Sequence, residues 1–285
     1  MKFTKMHGCG NDYVYVDGAA EKIDYDKKPE IVRILSDRHT GIGGDGVIFI
    51  NPCDTADFEM EMWNADGTRA EMCGNGVRCV GKFVYDKGLT DKTDLVIESM
   101  GAKKYLHLNV ADGLVETVRV NMGEPILEAA QIPVISNKDR VVDEPIIIQG
   151  KEYRMTGVSM GNPHAVIYTD DVEAIDFIAN DFGKACENHE RFPKRINTEF
   201  VQIIDDSTVK MRVYERGTGE TLACGTGCCA ICVACVLNKK TKNDITVKVL
   251  GGELQISWAG EGEPVYMTGS ATTVFEGEID LQLMM

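Results

Sequence analysis

Sliding the 285-residue chain against itself by 151 positions (224 − 73) lays Cys73-Gly74-Asn75-Gly76 on Cys224-Gly225-Thr226-Gly227. The same offset superimposes Gly10-Asn11 on Gly161-Asn162, Met60-Glu61-Met62-Trp63-Asn64 on Met211-Arg212-Val213-Tyr214-Glu215, and Gly46 on Asn197. One gap-free offset serving several motifs is the signature of a duplicated supersecondary unit, and it constrains the fold more than any local pattern. It predicts two like domains, which agrees with a length near the roughly 250–300 residues at which single cores stop growing. The boundary is placed near Met122-Gly123-Glu124-Pro125, giving halves at 1–122 and 123–269, with the terminal stretch 270–285 returning to complete the first.

Within each copy the signals are mostly short alternating strands, such as Phe58 to Met62, Val115 to Val120 and Thr208 to Val213. Helices are predicted at Pro29 to Asp37, Gly74 to Lys87, Val172 to Asn180 and Gly225 to Asn238, the second and last opening directly after Cys-Gly-x-Gly. The expected class is therefore mixed α/β (α+β), built as two pseudosymmetric domains.

Composition excludes several functions. There are 45 acidic against 30 basic residues, a net charge of −15, and no Lys/Arg cluster for a phosphate backbone, so nucleic acid is not an expected partner. The first residues lack the apolar run of a signal peptide, and no stretch of about 18 apolar residues appears. A cytoplasmic protein that does not enter membranes is expected, with its ten cysteines reduced. Five of these, Cys224, Cys228, Cys229, Cys232 and Cys235, crowd into twelve residues. The spacing of Cys228, Cys232 and Cys235 is that of one buried helix face, so core packing is preferred to an iron–sulfur site.

Cys73 and Cys224 each stand at a predicted helix start. There the unpaired amides and the dipole favour a thiolate, lowering a thiol below its free value of about 8.5. Gly74 and Gly225 let backbone approach a ligand, so the same amides can hold a carboxylate. Two such thiols on opposite faces of one carbon suit stereoinversion: one removes the α-proton and the other returns a proton to the far side. Helix ends and amide donors at the carboxylate would stabilise the charge that develops.

Polar residues gather around the pair in sequence. Arg216 is suited to clamp a carboxylate with two prongs. Asn11, Asn64, Asn75, Asn162 and Asn197 offer neutral donors and acceptors for a zwitterion. His164 and Glu215 are placed to tune the thiols. His7, His39, His107 and His189 show no metal-ligand spacing.

The strings Gly8-Cys9-Gly10-Asn11-Asp12-Tyr13, Trp63 to Thr68, Glu71 to Cys79, Gly161-Asn162-Pro163-His164-Ala165, Asn197-Thr198-Glu199-Phe200 and Tyr214 to Gly227 closely resemble the diaminopimelate epimerase family, in the family's order over nearly the whole chain. The resemblance implies two domains, each a β-barrel-like sheet wrapped round a central α-helix. It implies interconversion of LL- and meso-diaminopimelate for lysine and peptidoglycan precursors, with no pyridoxal phosphate, no other cofactor and no metal. Carried over motif by motif, Cys73 and Cys224 are the acid/base pair and His164 and Glu215 modulate them. Asn11, Asn64, Asn162, Asn197, Glu215 and Arg216 hold substrate, while Gly74, Asn75, Gly225 and Thr226 lie at the reacting carboxylate. A homodimer is implied, with Phe275 at its contact. One departure stands out: some relatives carry glutamine where this chain has Gly46, so that substrate contact is not carried over.

Three other readings compete. A racemase of the same fold acting on histidine, proline or hydroxyproline would share the chemistry and differ in the pocket. A thiol or iron–sulfur protein would hold a cluster, and an amino-acid-binding protein would bind without releasing an α-proton.

Overall fold

The computed structural model describes residues 1–70 and 73–283. Glu71 and Met72, which open one of the cysteine motifs, lie outside the described residues. In chain order the elements are β1 (Lys2–Gly8), β2 (Asn11–Asp17), α1 (Lys28–Ser36), β3 (Gly46–Asn51), β4 (Phe58–Asn64), α2 (Gly74–Asp86), β5 (Asp94–Ser99), β6 (Ala102–Ala111), β7 (Leu114–Gly123), β8 (Glu144–Ile148), β9 (Lys151–Ser159) and β10 (Pro163–Tyr168). There follow α3 (Phe182–Glu187), β11 (Asn197–Ile203), β12 (Thr208–Glu215), β13 (Gly219–Glu220), α4 (Gly225–Leu237), β14 (Asp244–Val249), β15 (Gly252–Trp258), β16 (Val265–Ser270) and β17 (Thr272–Glu278).

The chain divides into two compact units, Met1–Val120 with the C-terminal segment from Gly269, and Asn121–Thr268. In the first, strands neighbour one another in the order β17-β1-β2-β3-β4-β5-β6-β7, with β2–β3 and β4–β5 parallel and the other pairs antiparallel. In the second the order is β8-β9-β10-β11-β12-β14-β15-β16, with parallel pairs at β10–β11 and β12–β14. Apart from the two-residue β13, which pairs with the end of β12, the two patterns are the same strand for strand. The last strand of the chain, β17, fills in the first unit the place that β8 holds in the second.

Each sheet curls about one helix. The second unit's α4, Gly-Thr-Gly-Cys-Cys-Ala-Ile-Cys-Val-Ala-Cys-Val-Leu, is apolar on every face, the pattern of a helix with no exposed side. Cys228, Cys229, Cys232 and Cys235 are all fully buried in it, as small core residues. The first unit's α2 is equally enclosed but contains cations, and their donors are satisfied locally. Arg78 donates to the carbonyls of Gly74 and Ser270 and to Asn75 Oδ1, and Lys82 pairs with Asp86 and donates to the Val115 carbonyl. Buried donors left without partners would each cost roughly 1–3 kcal/mol.

The sheets' other faces carry secondary clusters. Val14, Val16, Val47, Phe49 and Trp63 pack against Ile31, Val32 and Leu35 of α1. In the second unit Phe177, Phe182, Phe200, Tyr153 and Tyr214 form an aromatic cluster beside α3. Strand periodicity of two thus sends alternate residues to helix and outer cluster: Tyr15 reaches Gly76 of α2 while Val14 and Val16 face α1.

The segment from Val172 to Asn180 is not the predicted α-helix. Asp176 caps the amides of Ile178 and Ala179 in an Asx turn, Arg212 takes the carbonyls of Val172 and Ile175, and Asn180 has φ 53°. Those side-chain bonds replace the helical ladder, and the helix here, α3, begins only at Phe182. Among the described residues no helix is long and apolar enough to cross a membrane.

Candidate active site

Cys224 is the N-cap of α4, with extended backbone angles (φ −118°, ψ 108°) before the first helical residue. Gly227 in the first turn is required by close approach: a Cβ there would meet Glu199 Oε1 at 2.7 Å and the Cys224 Cβ at 3.3 Å. A set of polar groups surrounds the sulfur. Thr226 Oγ1 lies 3.4 Å from Cys224 Sγ and accepts a hydrogen bond from Asn162 Nδ2 at 3.1 Å. Asn162 Oδ1 lies 3.1 Å from His164 Nε2, whose Nδ1 in turn lies 2.6 Å from Glu199 Oε1. Glu215, at the end of β12, accepts from the Thr221 hydroxyl and stands close enough to Cys224 for a thiol–carboxylate hydrogen bond.

The electrostatics of this half correct the sequence expectation for its thiol. Burial pushes the Cys224 thiol well above its ordinary value, and the carboxylates of Glu215 and Glu199 push it further. The Thr226 hydroxyl and the Gly227 amide pull the other way and lose. A helix terminus supplies roughly half an elementary charge, which does not outweigh dehydration and two nearby acids. Burial likewise raises the Glu215 carboxyl, with the Glu199 charge adding to it and Thr221 and His164 opposing. Cys224 is thus a thiol that keeps its proton.

Cys73 stands at the corresponding place in the first unit, the N-cap of α2 (φ −115°, ψ 123°), and is partly exposed. Its thiol donates to Asn11 Oδ1 at 3.1 Å, and Asn11 Nδ2 donates to Asp45 Oδ2 at 2.8 Å. Arg38 bridges Asp12 and Asp45, fixing the loop that holds Asn11. Burial alone would raise the Asp12 carboxyl, but its bonds to Arg38 and Lys5 bring it below the usual range. Asn75, in the first turn of α2, is buried and accepts from Arg78. Asn64 donates to Thr68 at 3.1 Å.

The remaining predicted residues have varied surroundings. Asn197 is nearly saturated by backbone, donating to the Pro163 carbonyl and accepting from the Arg216 amide, so it braces the turn that carries Arg216. The Arg216 guanidinium is exposed; it touches the Lys194 carbonyl and, among the described residues, makes no ion pair. That leaves a fork of donors ready for a carboxylate. Gly46 lies with φ 158°, where a Cβ would fall 2.0 Å from the Trp63 carbonyl oxygen. A side chain could not occupy this backbone without a shift. Phe275 is 46% exposed on β17 and meets Phe3 edge-on.

Glu199 was not singled out by the sequence. It is fully buried, pairs with His164, and has one carboxylate oxygen without a hydrogen-bond partner among the described residues. Its signal is positional: it places an acid in the buried strand Asn197-Thr198-Glu199-Phe200-Val201 at the register where the first copy has Ile48. His164, Glu199 and Cys224 also place one potential ligand atom each within 4.8 Å of one another. The 2.6 Å His164–Glu199 contact already uses two of these groups on each other.

Residues 3–128 and 156–274 match the sequence profile of diaminopimelate epimerase. Among curated proteins, a diaminopimelate epimerase of Methanococcus maripaludis (strain C5) is 56% identical over 281 residues, covering 99% of this chain and all of the relative. One of Agathobacter rectalis is 54% identical over 288 residues with the same coverage, 99% and 100%. Among solved structures, a hydroxyproline epimerase from Agrobacterium vitis gives a TM-score of 0.65 at 15% identity, covering 98% of this chain and 90% of that one. A Bacillus anthracis phenazine biosynthesis protein of the PhzF family gives 0.67 at 16% identity, covering 98% of both. Likeness at that level of identity carries the fold alone.

Proposed function

The chain belongs to the diaminopimelate epimerase family, and from that membership we propose that it interconverts LL- and meso-2,6-diaminopimelate by proton transfer between two thiols. The observation that carries the mechanism is that Cys73 and Cys224 each cap the N-terminus of a buried helix at equivalent places in two like units. A proton-transfer group and a row of free amides coincide there.

In one direction the Cys73 thiolate takes the α-proton, the electron pair passes into the carboxylate, and the Cys224 thiol gives its proton to the opposite face of the carbon. The sulfurs finish with exchanged protonation, and the reverse reaction exchanges them back. The raised Cys224 thiol supports its role as proton holder in the resting enzyme. Amides at Gly74, Asn75, Gly225 and Thr226 would face the reacting carboxylate, where charge builds up in the transition state. Arg216 would take the distal carboxylate, and Asn11, Asn64, Asn162 and Asn197 the remaining polar groups. His164 and Glu215 tune the sulfur beside them.

The halves 1–122 with 270–285, and 123–269, each contribute one thiol on this reading. The protein is cytoplasmic, supplies meso-diaminopimelate for lysine and peptidoglycan precursors, and pairs as a homodimer. The exposed Val274 and Phe275 on β17 support that pairing. Reduced protein given LL-diaminopimelate without added cofactor tests the proposal. Meso product from the native chain, with a loss of roughly a thousandfold or more in both Cys73→Ala and Cys224→Ala, is expected for obligatory acid/base groups. Undiminished turnover in either variant would overturn it.

A further inference from the structure

The hydrogen bonds between Glu199 and Cys224 form one chain: Glu199–His164–Asn162–Thr226–Cys224. With the Asn162 amide oriented as it is in the structure, each link has a direction. Asn162 Nδ2 can only donate, so Thr226 Oγ1 accepts from it and keeps its own proton for the sulfur. Asn162 Oδ1 can only accept, so His164 Nε2 must carry a proton. On the ring's other side stands a carboxyl oxygen at 2.6 Å. A proton lies in that contact as well, either on Nδ1 or on the Glu199 carboxyl. The pair therefore holds one proton more than a neutral imidazole beside a carboxylate would.

Removing that proton has one consequence along the chain. A singly protonated ring that still donates to Glu199 presents a bare Nε2, which needs a donor. The Asn162 amide then turns over, offering Nδ2 to the ring and Oδ1 to Thr226. The threonine hydroxyl must now donate to Asn162 and no longer to Cys224. The pair's proton count, the amide's orientation and the hydrogen bond at the sulfur are thus locked together.

The duplication shows that the fold itself does not require this chain. At the equivalent positions of the first unit stand Tyr13 for His164, Ile48 for Glu199 and Asn75 for Thr226. Ile48 packs against Gly76 as Glu199 packs against Gly227. The buried acid belongs to one thiol only. Its second oxygen has no hydrogen-bond partner among the described residues, so its burial depends on His164.

We propose that Glu199 is a positioning residue for proton transfer at Cys224: by keeping an extra proton on the His164 pair it aims the Thr226 hydroxyl at the sulfur, which must give up and regain a proton in each catalytic cycle. This rests on the reading of Cys224 as an acid/base group. The titratable groups facing the sulfur are His164 from β10, Glu199 from β11 and Glu215 from β12, and all of them enter the pH dependence.

The test combines 15N-histidine NMR with kinetics on the full-length protein, using Glu199→Gln, which is near-isosteric, and Glu199→Ile, which copies the first unit. His164→Gln identifies the signals. The native protein should show both His164 nitrogens in the protonated form, or Nε2 protonated with Nδ1 strongly hydrogen-bonded. In both variants the ring should revert to an ordinary neutral imidazole. Then kcat should fall roughly tenfold, about what one lost hydrogen bond at the sulfur is worth, with KM little altered and the pH profile of kcat displaced. A native His164 with an unprotonated Nε2 overturns the inference without any variant. So does an unchanged profile in Glu199→Gln. If Cys224→Ala still interconverts the two stereoisomers at an undiminished rate, the underlying acid/base reading fails instead.

Discussion

Glu199 in the second unit occupies the strand position that Ile48 holds in the first, each facing the first-turn glycine of its own central helix. The two units are alike in backbone and unlike in charge. The Cys224 half contains His164, Glu199 and Glu215, whereas Cys73 hydrogen-bonds to the neutral amide of Asn11. An enzyme that moves a proton from one thiol to another uses such a difference, since the sulfur that takes the α-proton must first give up its own while the other keeps its proton.

This difference predicts the order of alkylation. Cys73 is partly exposed, while Cys224 is buried and its thiol is raised by dehydration and by its two carboxylates. Because the thiolate is the reactive form, iodoacetamide at neutral pH should modify Cys73 before Cys224 in substrate-free protein. Peptide mapping by mass spectrometry reads the order, and preferential labelling at Cys224 would contradict it.

Glu215→Gln should stabilise the fold while lowering activity. The carboxyl is raised in the folded state by burial and by Glu199, so folded protein binds its proton more tightly than unfolded protein does. Stability from this group is then complete below the unfolded value of 4.5 and is lost as pH rises through the higher folded value. Melting temperatures of variant and native protein should converge near pH 4 and separate, in favour of the variant, toward pH 7. A gap that widens on acidification has the wrong sign.

Removing the unpaired guanidinium should act on binding. Arg216→Ala deletes a charge-assisted contact of about 1.5–3 kcal/mol, so KM for diaminopimelate should rise by about 10–100-fold. The melting temperature should hardly move, because the side chain is exposed and, among the described residues, its hydrogen bond is to the Lys194 carbonyl. A KM unchanged in this variant would remove Arg216 from the substrate contacts.

At Gly46 any side chain collides with the Trp63 carbonyl. Overpacking and backbone strain together put the cost of Gly46→Ala at about 2–4 kcal/mol. Urea denaturation would measure it, and a neutral substitution would show that β3 and β4 can separate locally.

Most of this architecture was legible before any coordinates. The helices after the two Cys-Gly-x-Gly segments, predicted to reach Lys87 and Asn238, end one residue earlier, at Asp86 and Leu237. Glycine-marked starts and apolar content are local signals, and the sequence carries them directly. The error at Val172 to Asn180 arose because Asp176 and Arg212 satisfy that backbone from side chains, one of them distant in sequence. Glu199 escaped for a related reason. Its partner His164 is 35 residues away and becomes adjacent only when β10 and β11 pair in parallel. Raised protonation at Cys224 was also invisible, since the helix terminus is local while the opposing acids come from two other strands.

Isotope labelling tests the central claim most directly. LL-diaminopimelate is turned over briefly in deuterated water by reduced protein, and substrate and product are separated before equilibrium. Two thiols, one accepting and one donating, predict meso product carrying one solvent deuterium at the inverted carbon, with recovered substrate nearly unlabelled. Product that retains its original hydrogen at that carbon would mean that a single group both takes and returns it, and the two-thiol account would fall.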